Sequence, residues 1–311
     1  MTGFLIRRFL GIATTLLLLS IFTFALSRTV PGGPWMQNAE IPQTPAQIEA
    51  FKIKYGLDQP LIIQYLVWLR NALTLDFGVP FTAPEQTVTS LILRALPYSA
   101  LIGGLAALLA VVLGMALGMI AAALPNTWID YAITLWSVVI GTIPSFVMGF
   151  VLVYIFAVKL RWFPTGGWGS ARHIVLPVIA FGLPAVGGVA RWTRQCMAEA
   201  MSSDYTRTAY AKGLREHTVM MRHVLRNAGI PMITQFLPLF PAMMTGSLFI
   251  EQVFGLPGLG KYFVLASTNR DYPLVLGITM FWALLISLTF LLSDVLYSLI
   301  DPRVRLGEER S

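Results

Sequence analysis

Six long segments without a single charged residue constrain this chain more than any other feature. Each is long enough to cross the ~30 Å hydrocarbon core of a bilayer as an α-helix, which needs about 20 residues. The whole chain is 56% hydrophobic and 12% charged, whereas soluble domains carry about 25% charged residues. The sequence therefore predicts an all-α, polytopic membrane protein with six transmembrane helices. The segments are Phe9–Ser27, Ala95–Pro125, Tyr131–Val158, Ile174–Ala190, Ala228–Ile250 and Tyr272–Ser293.

The basic start of the chain sets the expected orientation. Arg7 and Arg8 precede the first segment, and positive residues stay on the cytoplasmic side. Six spans then put both termini in the cytoplasm. The expected division is a cytoplasmic N-terminus with the first span (1–27), an extracytoplasmic region (28–94), a five-helix core (95–300) and a cytoplasmic tail (301–311).

Residues 28–94 form the longest polar region. Short helices are expected at 45–55 and 61–75, separated by Gly56–Pro60. By topology the region lies outside the cell. Gating, docking and a simple cover are all compatible with it, and no local feature decides among them.

A basic stretch between the fourth and fifth spans, residues 191–227, is too long for an ordinary connector. It holds seven arginine or lysine residues, and its apolar positions suit short amphipathic helices. From composition alone, contact with a cytoplasmic partner and a solvated positive-inside loop stay equally open. The net charge of +7 lies at segment ends and in loops, as membrane topology requires, so nucleic-acid binding is not expected.

Two local patterns predict helix geometry. Gly114 and Gly118 form a GxxxG pair, which allows close helix approach. Pro144 interrupts the third span, where a break is expected. Asp294, near the end of the last span, is either a transport residue or a local cap.

No pattern for catalysis, nucleotide binding or metal binding is complete. Gly255–Lys261 fits the first seven positions of a phosphate-binding loop, but Tyr262 replaces the required Ser or Thr and no strand is expected before it. The three histidines lack metal-site spacing, and the single cysteine, Cys196, allows no intrachain disulfide. We expect no enzymatic activity, no bound cofactor and no metal.

Six short motifs, in order along nearly the whole chain, resemble the permease subunits of bacterial ABC importers of the dipeptide, oligopeptide and nickel class. Gly33 departs from the acid that this family has in the first motif. The motifs are Pro31–Pro34 (family PGDP), Tyr55–Tyr65 (GLDxPxxxQY), Phe163–Gly167 with His173–Pro177 (FPxGG…LP), Glu251–Gly260 with Arg270–Pro273 (ExVFxxPGLG…RDYP), Asp294–Tyr297 with Asp301–Arg303 (DxxY…DPR), and Asp204–Gly213 (DYxRTAxAKG).

The last of these motifs resembles the family's EAA loop, whose short coupling helix docks in a groove of the ATPase subunit. On that pattern Arg207, Thr208 and Ala209 take the E-A-A positions and Gly213 takes the glycine. The glutamate is absent, and the later proline is replaced by Arg226. The resemblance implies an ATPase-coupling set, with an amphipathic helix expected at Leu214–Met221. The set is Asp204, Arg207, Thr208, Ala209, Lys212, Gly213, Leu214, Arg215 and Glu216.

The resemblance also implies the rest of the machine. A second, similar permease, two ATPase subunits that hold ATP and magnesium, and an extracytoplasmic substrate-binding protein would complete an importer in the cytoplasmic membrane, carrying short peptides. Nickel or an oligosaccharide is the alternative cargo. A self-contained secondary transporter or channel is the alternative of a different class; it predicts intramembrane charge pairs or inverted repeats. An intramembrane enzyme ranks third.

Overall fold

Every regular element in the described part of the chain is helical. The computed structural model describes residues 2–29 and 44–300, with side chains for 6–29 and 44–292. The helices are α1 (Thr2–Thr29), α2 (Pro45–Lys54), α3 (Leu61–Ala72), α4 (Val88–Ala123), α5 (Trp128–Thr142), α6 (Ser145–Leu152), α7 (Arg172–Ser202), α8 (Asp204–Ala211), α9 (Glu216–Thr218), α10 (Leu225–Phe236), α11 (Leu239–Met244), α12 (Leu248–Val253), α13 (Leu259–Thr268) and α14 (Tyr272–Ile300). Two π-helical segments, Val153–Lys159 and Val219–Val224, extend α6 and α9.

The described helices supply a candidate for each of the six predicted spans, by length and composition. Five are α1, α4, α7, the helical run Glu216–Val253 and α14. The sixth is α5 with the stretch Ser145–Lys159, bent by 98° where they join. The bend follows from Pro144: the residue before a proline avoids the α conformation, and Ile143 is extended at φ −77° and ψ 121°.

One compact unit joins the N-terminal part of the chain to a segment near its C-terminal end. It comprises residues up to Tyr98 together with Pro257–Leu288. Its core combines Phe77, Val88 and Ile92 with Leu259 and Ile278, all almost fully buried. Residues distant in sequence therefore complete a single hydrophobic core.

Asp271 fastens this first unit through hydrogen bonds. The carboxylate is fully buried and accepts from the backbone nitrogen of Thr82 at 2.9 Å and its hydroxyl at 2.7 Å. It also accepts from the backbone nitrogen of Leu274 at 3.3 Å, in the first turn of α14. A buried acid with several donors is satisfied, so this motif residue has a structural role.

The second unit, Ser99–Leu256 with residues from Thr289 onward, is organised around α7. Gly114 and Gly118 of α4 lie against this helix: a Cβ on Gly114 would stand 2.5 Å from the Val189 Cβ, and one on Gly118 would collide with the Ala190 carbonyl oxygen. On the α5 side, Gly187 meets the Ser137 carbonyl oxygen in the same way. The predicted close approach at the GxxxG pair is confirmed, and α7 is the partner.

Replacing Gly118 with alanine tests this packing. The added methyl would meet backbone, which cannot move aside, and overpacking of this kind costs about 1–3 kcal/mol. We expect Gly118→Ala to lower the melting temperature of the purified chain in detergent. Gly11→Ala in α1 is the matched control, because a Cβ there has nothing within 4 Å and alanine is the better helix former. Equal stability of the two variants would contradict the close approach.

Candidate coupling surface

The basic stretch begins as a direct continuation of α7. That helix ends at Ser202, and Ser203 alone, extended at φ −75° and ψ 156°, separates it from α8. The hydroxyls of Ser203 and Thr206 both donate to the Ala200 carbonyl, at 2.6 and 2.8 Å. These bonds satisfy a carbonyl that the end of a helix leaves free, and they fix α8 to the last turn of α7.

Helix α8 has one anchored face and one open face. Thr206 and Ala209, three residues apart, are 1% and 3% exposed, and Ala209 belongs to a core cluster with Val219 and Val224. Positions three apart share a helix face. Of the predicted coupling residues, Ala209 is thus the anchor. The others are exposed and lie on or just after α8: Asp204, Arg207, Thr208, Lys212, Gly213, Leu214, Arg215 and Glu216.

Gly213 ends α8 by a capping motif that only a left-handed residue completes. Its φ is +74°. Its backbone nitrogen donates to Tyr210 O at 2.9 Å, and the nitrogen of Leu214 donates to Ala209 O at 3.4 Å. This is the Schellman pattern. A sharp turn and a close contact are the two reasons for glycine that the sequence offers. The φ of +74° confirms the turn, and among the described residues a Cβ would meet nothing within 4 Å.

The helix expected at Leu214–Met221 begins two residues late, at Glu216, and does not end at Met221. Leu214 and Arg215 follow the cap in non-helical conformation, and the next helix begins at Glu216. It then continues through Val219–Val224 into α10, as part of the fifth span. The helical run that contains the fifth span therefore starts twelve residues before the predicted Ala228, and the free-standing helix of the stretch is α8.

The open face combines aromatic and basic side chains. Tyr205, Tyr210 and Leu214 are 41%, 44% and 37% exposed, alongside exposed Arg207 and Lys212. The contact between Arg207 and Asp204, 3.8 Å, is between two highly exposed side chains and adds little stability. Tyrosine and arginine dominate protein–protein contacts, so the composition suits a docking surface.

An ion pair that the sequence analysis missed holds the end of α7 against α5. Asp130, 1% exposed, accepts from Arg194 Nε at 2.5 Å and Nη2 at 2.7 Å. Its carboxylate also accepts from the Asn126 backbone nitrogen at 3.1 Å. Arg191 Nη1 donates to the Ser137 carbonyl at 2.9 Å. Asp130 lies one residue before the predicted third span, Tyr131–Val158, and an acid at this position is a signal in itself. The side chain of Asp294, the acid that the sequence analysis named, lies outside the described residues.

The remaining motifs of the resemblance have structural roles where they are described. A Cβ on Gly166 would stand 2.5 Å from the Phe254 carbonyl oxygen, and Gly167 donates its backbone nitrogen to the same oxygen at 2.7 Å. Glu251, 2% exposed, accepts a hydrogen bond from Ser99 at 2.7 Å. The Gly255–Lys261 segment runs from helix α12 into helix α13. The motifs at Pro31–Pro34 and Asp301–Arg303 lie outside the described residues.

The class of protein follows from these features: a six-span, all-α membrane component with an exposed helix anchored between two spans. Two models of one transport family match most of the chain. The family described as "Binding-protein-dependent transport system inner membrane component" matches residues 114–306, and its N-terminal counterpart matches residues 1–100. The chain belongs to this family of multi-pass transport components.

Relatives of known name cover the chain from end to end. The dipeptide transport system permease protein DppB of Bacillus subtilis is 39% identical over 99% of this chain and 100% of its own length. The oligopeptide transport system permease protein OppB of Haemophilus influenzae is 42% identical over 98% and 100%. A crystal structure of an amino acid ABC transporter with histidines matches at a TM-score of 0.52 and 18% identity, over 69% of this chain and 94% of the other; it supports the fold.

A double-mutant cycle on Asp130 and Arg194 tests the anchor of α7. Removing Arg194 leaves the Asp130 carboxylate desolvated and without its charged partner, and hydrogen bonds to charged groups contribute about 1.5–3 kcal/mol. We expect Asp130→Ala and Arg194→Ala each to lower unfolding stability, with a double variant less destabilised than the sum.

The matched control for this cycle is the exposed pair Asp204 and Arg207, for which we expect no measurable coupling. Stability is read from thermal unfolding of the purified chain in detergent. Additive effects at Asp130 and Arg194 would show that the pair does not anchor the helix.

Proposed function

We propose that this chain is the transmembrane permease subunit of an ATP-driven importer, and that a second, similar permease completes the path through the membrane. An extracytoplasmic substrate-binding protein delivers the cargo. The family assignment and the full-length coverage of permease relatives support this function. They favour an importer component over a self-contained secondary transporter.

Short peptides are the proposed cargo. Support comes from relatives named for dipeptide and oligopeptide transport at 39–42% identity. Nickel and oligosaccharides are the alternatives. Cargo choice in such a machine depends on the binding protein as well as on the permease, so a substrate assay has to include it.

The energy source is proposed to lie in two ATPase subunits, which bind ATP and magnesium, while this chain binds no cofactor. The single observation behind the contact is α8: its inner face is anchored at Thr206 and Ala209, and its open face presents Tyr205, Arg207 and Tyr210. An amphipathic helix fixed on one side is suited to a groove in a partner. The proposed coupling residues are those of the open face and of the turn through Glu216.

Both termini and α8 are proposed to face the cytoplasm. Arg7 and Arg8 before the first span and the basic stretch 191–227 support this orientation, and six spans return the chain to its starting side. The membrane is then the cytoplasmic membrane of a bacterial cell.

In the proposed mechanism, α8 and the spans attached to it move together as a rigid body. One extended residue and two hydroxyl bonds to Ala200 connect α8 to α7. Asp130 and Arg194 connect α7 to α5. When the ATPase dimer closes, the displaced α8 therefore moves α7 and α5 together, and this movement alternates access to the path.

Charge reversal on the open face tests the contact. We expect the variant with Arg207→Glu and Tyr210→Ala to lose capture of purified ATPase subunits and transport-coupled ATP hydrolysis in liposomes. Both side chains are exposed, so the fold and thermal stability stay unchanged. Glu49→Ala, an exposed change on α2, is the control and keeps capture. Normal capture by the double variant would rule out α8 as the contact.

The cap at Gly213 gives a second, conformational test. Valine is strained at φ +74°, at a cost of about 1–2 kcal/mol, and the turn that positions Leu214–Glu216 opens. If the ATPase subunit binds the capped form, Gly213→Val weakens binding roughly five- to thirtyfold. Asparagine tolerates the left-handed conformation, so Gly213→Asn retains most of the affinity. Equal affinities of the two variants would show that the turn is not part of the contact.

A further inference from the structure

Helix α3 has an apolar face with no protein against it among the described residues. Such a face is unfavourable in water, because moving each CH₂ group from water into an apolar environment lowers the free energy by about 0.8 kcal/mol. Arg70 and Asn71 are the exposed polar residues near its end. Six aliphatic side chains on the helix and just beyond it are between 46% and 79% exposed: Leu61, Ile62, Ile63, Leu66, Val67 and Leu73.

The opposite face of α3 packs on the first span. The Tyr65 hydroxyl is hydrogen-bonded to the Ser20 hydroxyl at 2.8 Å. The Phe24 ring lies 5.3 Å from the Tyr65 ring and 6.3 Å from the Trp68 ring. Ser20 and Phe24 are 0% and 6% exposed. The helix is thus apolar on both sides, the pattern of a fully buried helix.

The depth of α3 follows from its partners on α1. The uncharged part of α1 is Phe9–Ser27, and its midpoint is Leu18. At 1.5 Å per residue, Ser20 and Phe24 lie about 3 and 9 Å from that midpoint, inside the ~15 Å half-thickness of the hydrocarbon core. Arg28 lies about 15 Å away, at the boundary, where its guanidinium stands over the Tyr272 ring at 4.8 Å.

The length of α3 excludes a crossing. Twelve residues extend about 18 Å, and apolar segments of 10–14 residues form buried, re-entrant or interfacial helices. The span that α3 contacts also carries exposed apolar side chains: Leu18, Phe22 and Leu26 of α1 are 62%, 65% and 54% exposed.

Backbone carbonyls in the turn before α3 have a hydrogen-bond donor within the chain. The Gln64 side-chain nitrogen donates to the carbonyls of Leu57 and Gln59, at 3.2 and 2.7 Å. Backbone groups near hydrocarbon need internal partners, and this side chain supplies them. At the other end, the long aliphatic stem of Arg70 allows its charge to reach the headgroups.

We propose that α3 is embedded among the lipid acyl chains of the leaflet at the C-terminal end of α1. Lipid is the occupant of its apolar face. With the N-terminus in the cytoplasm, this is the outer leaflet, so part of the region 28–94 expected outside the membrane lies within it. The embedded helix holds Asp58 and Gln59 at the lipid surface. The inference is independent of the ATPase contact.

Spin labels report the surroundings of α3 directly. In a Cys196→Ser background, single cysteines replace Ile62 and Leu66 on α3, Phe22 as the lipid reference and Asp58 as the water reference. The full chain, assembled with its partner subunits in liposomes, is measured by power saturation with oxygen and with a water-soluble nickel chelate. We expect labels at Ile62 and Leu66 to collide mainly with oxygen, as at Phe22. The label at Asp58, in contrast, collides mainly with the nickel chelate.

Two results would overturn the proposal. Nickel access at Ile62 and Leu66 equal to that at Asp58 places the face in water. Low access to both reagents, with immobilised spectra, places it against protein, either the second permease or the binding protein. A label at Leu73, beyond the end of the helix, replaces either position if its variant does not assemble.

Discussion

Backbone contact along α7 is the constraint on which the second unit depends. In a bilayer the hydrophobic effect does not drive helices together, so association relies on close packing. Gly114 and Gly118 provide that packing toward α4, and Gly187 provides it toward α5. Because backbone meets backbone at these points, the three helices have little freedom to slide, and the position of α7 fixes everything attached to its end.

The ion pair between Asp130 and Arg194 extends this rigidity to the end of α7 that bears α8. A buried carboxylate with a two-pronged arginine restricts direction as well as distance. The glycine contacts and the ion pair therefore act at different levels of the same helix. Together they make α5, α7 and α8 a single mechanical element, whereas a flexible connection at Ser203 would let α8 move without the spans.

Features encoded in local sequence could be predicted, and those decided by tertiary contacts could not. The uncharged segments predict the spans, and Pro144 predicts the bend after α5. The GxxxG pair predicts the close approach of α4 to another helix. The amphipathic pattern predicts a helix at Leu214–Met221, whereas the turn at Gly213 delays its start to Glu216. Asp130 was missed since its partner is 64 residues away. The depth of α3 depends on Ser20 and Phe24, which no pattern within residues 61–72 reveals.

The first unit has a consequence for biosynthesis. Its core joins residues such as Ala95 to Leu259 and Ile278, and about 160 residues separate Ala95 from Leu259. At a translation rate of 5–20 residues per second, the early half of this core waits about 10–30 s for the late half. During that time Val88 and Ile92 lack the contacts that Leu259 and Ile278 later provide. The unit can therefore be completed only near the end of synthesis. A nascent chain stopped before residue 259 lacks half of this core.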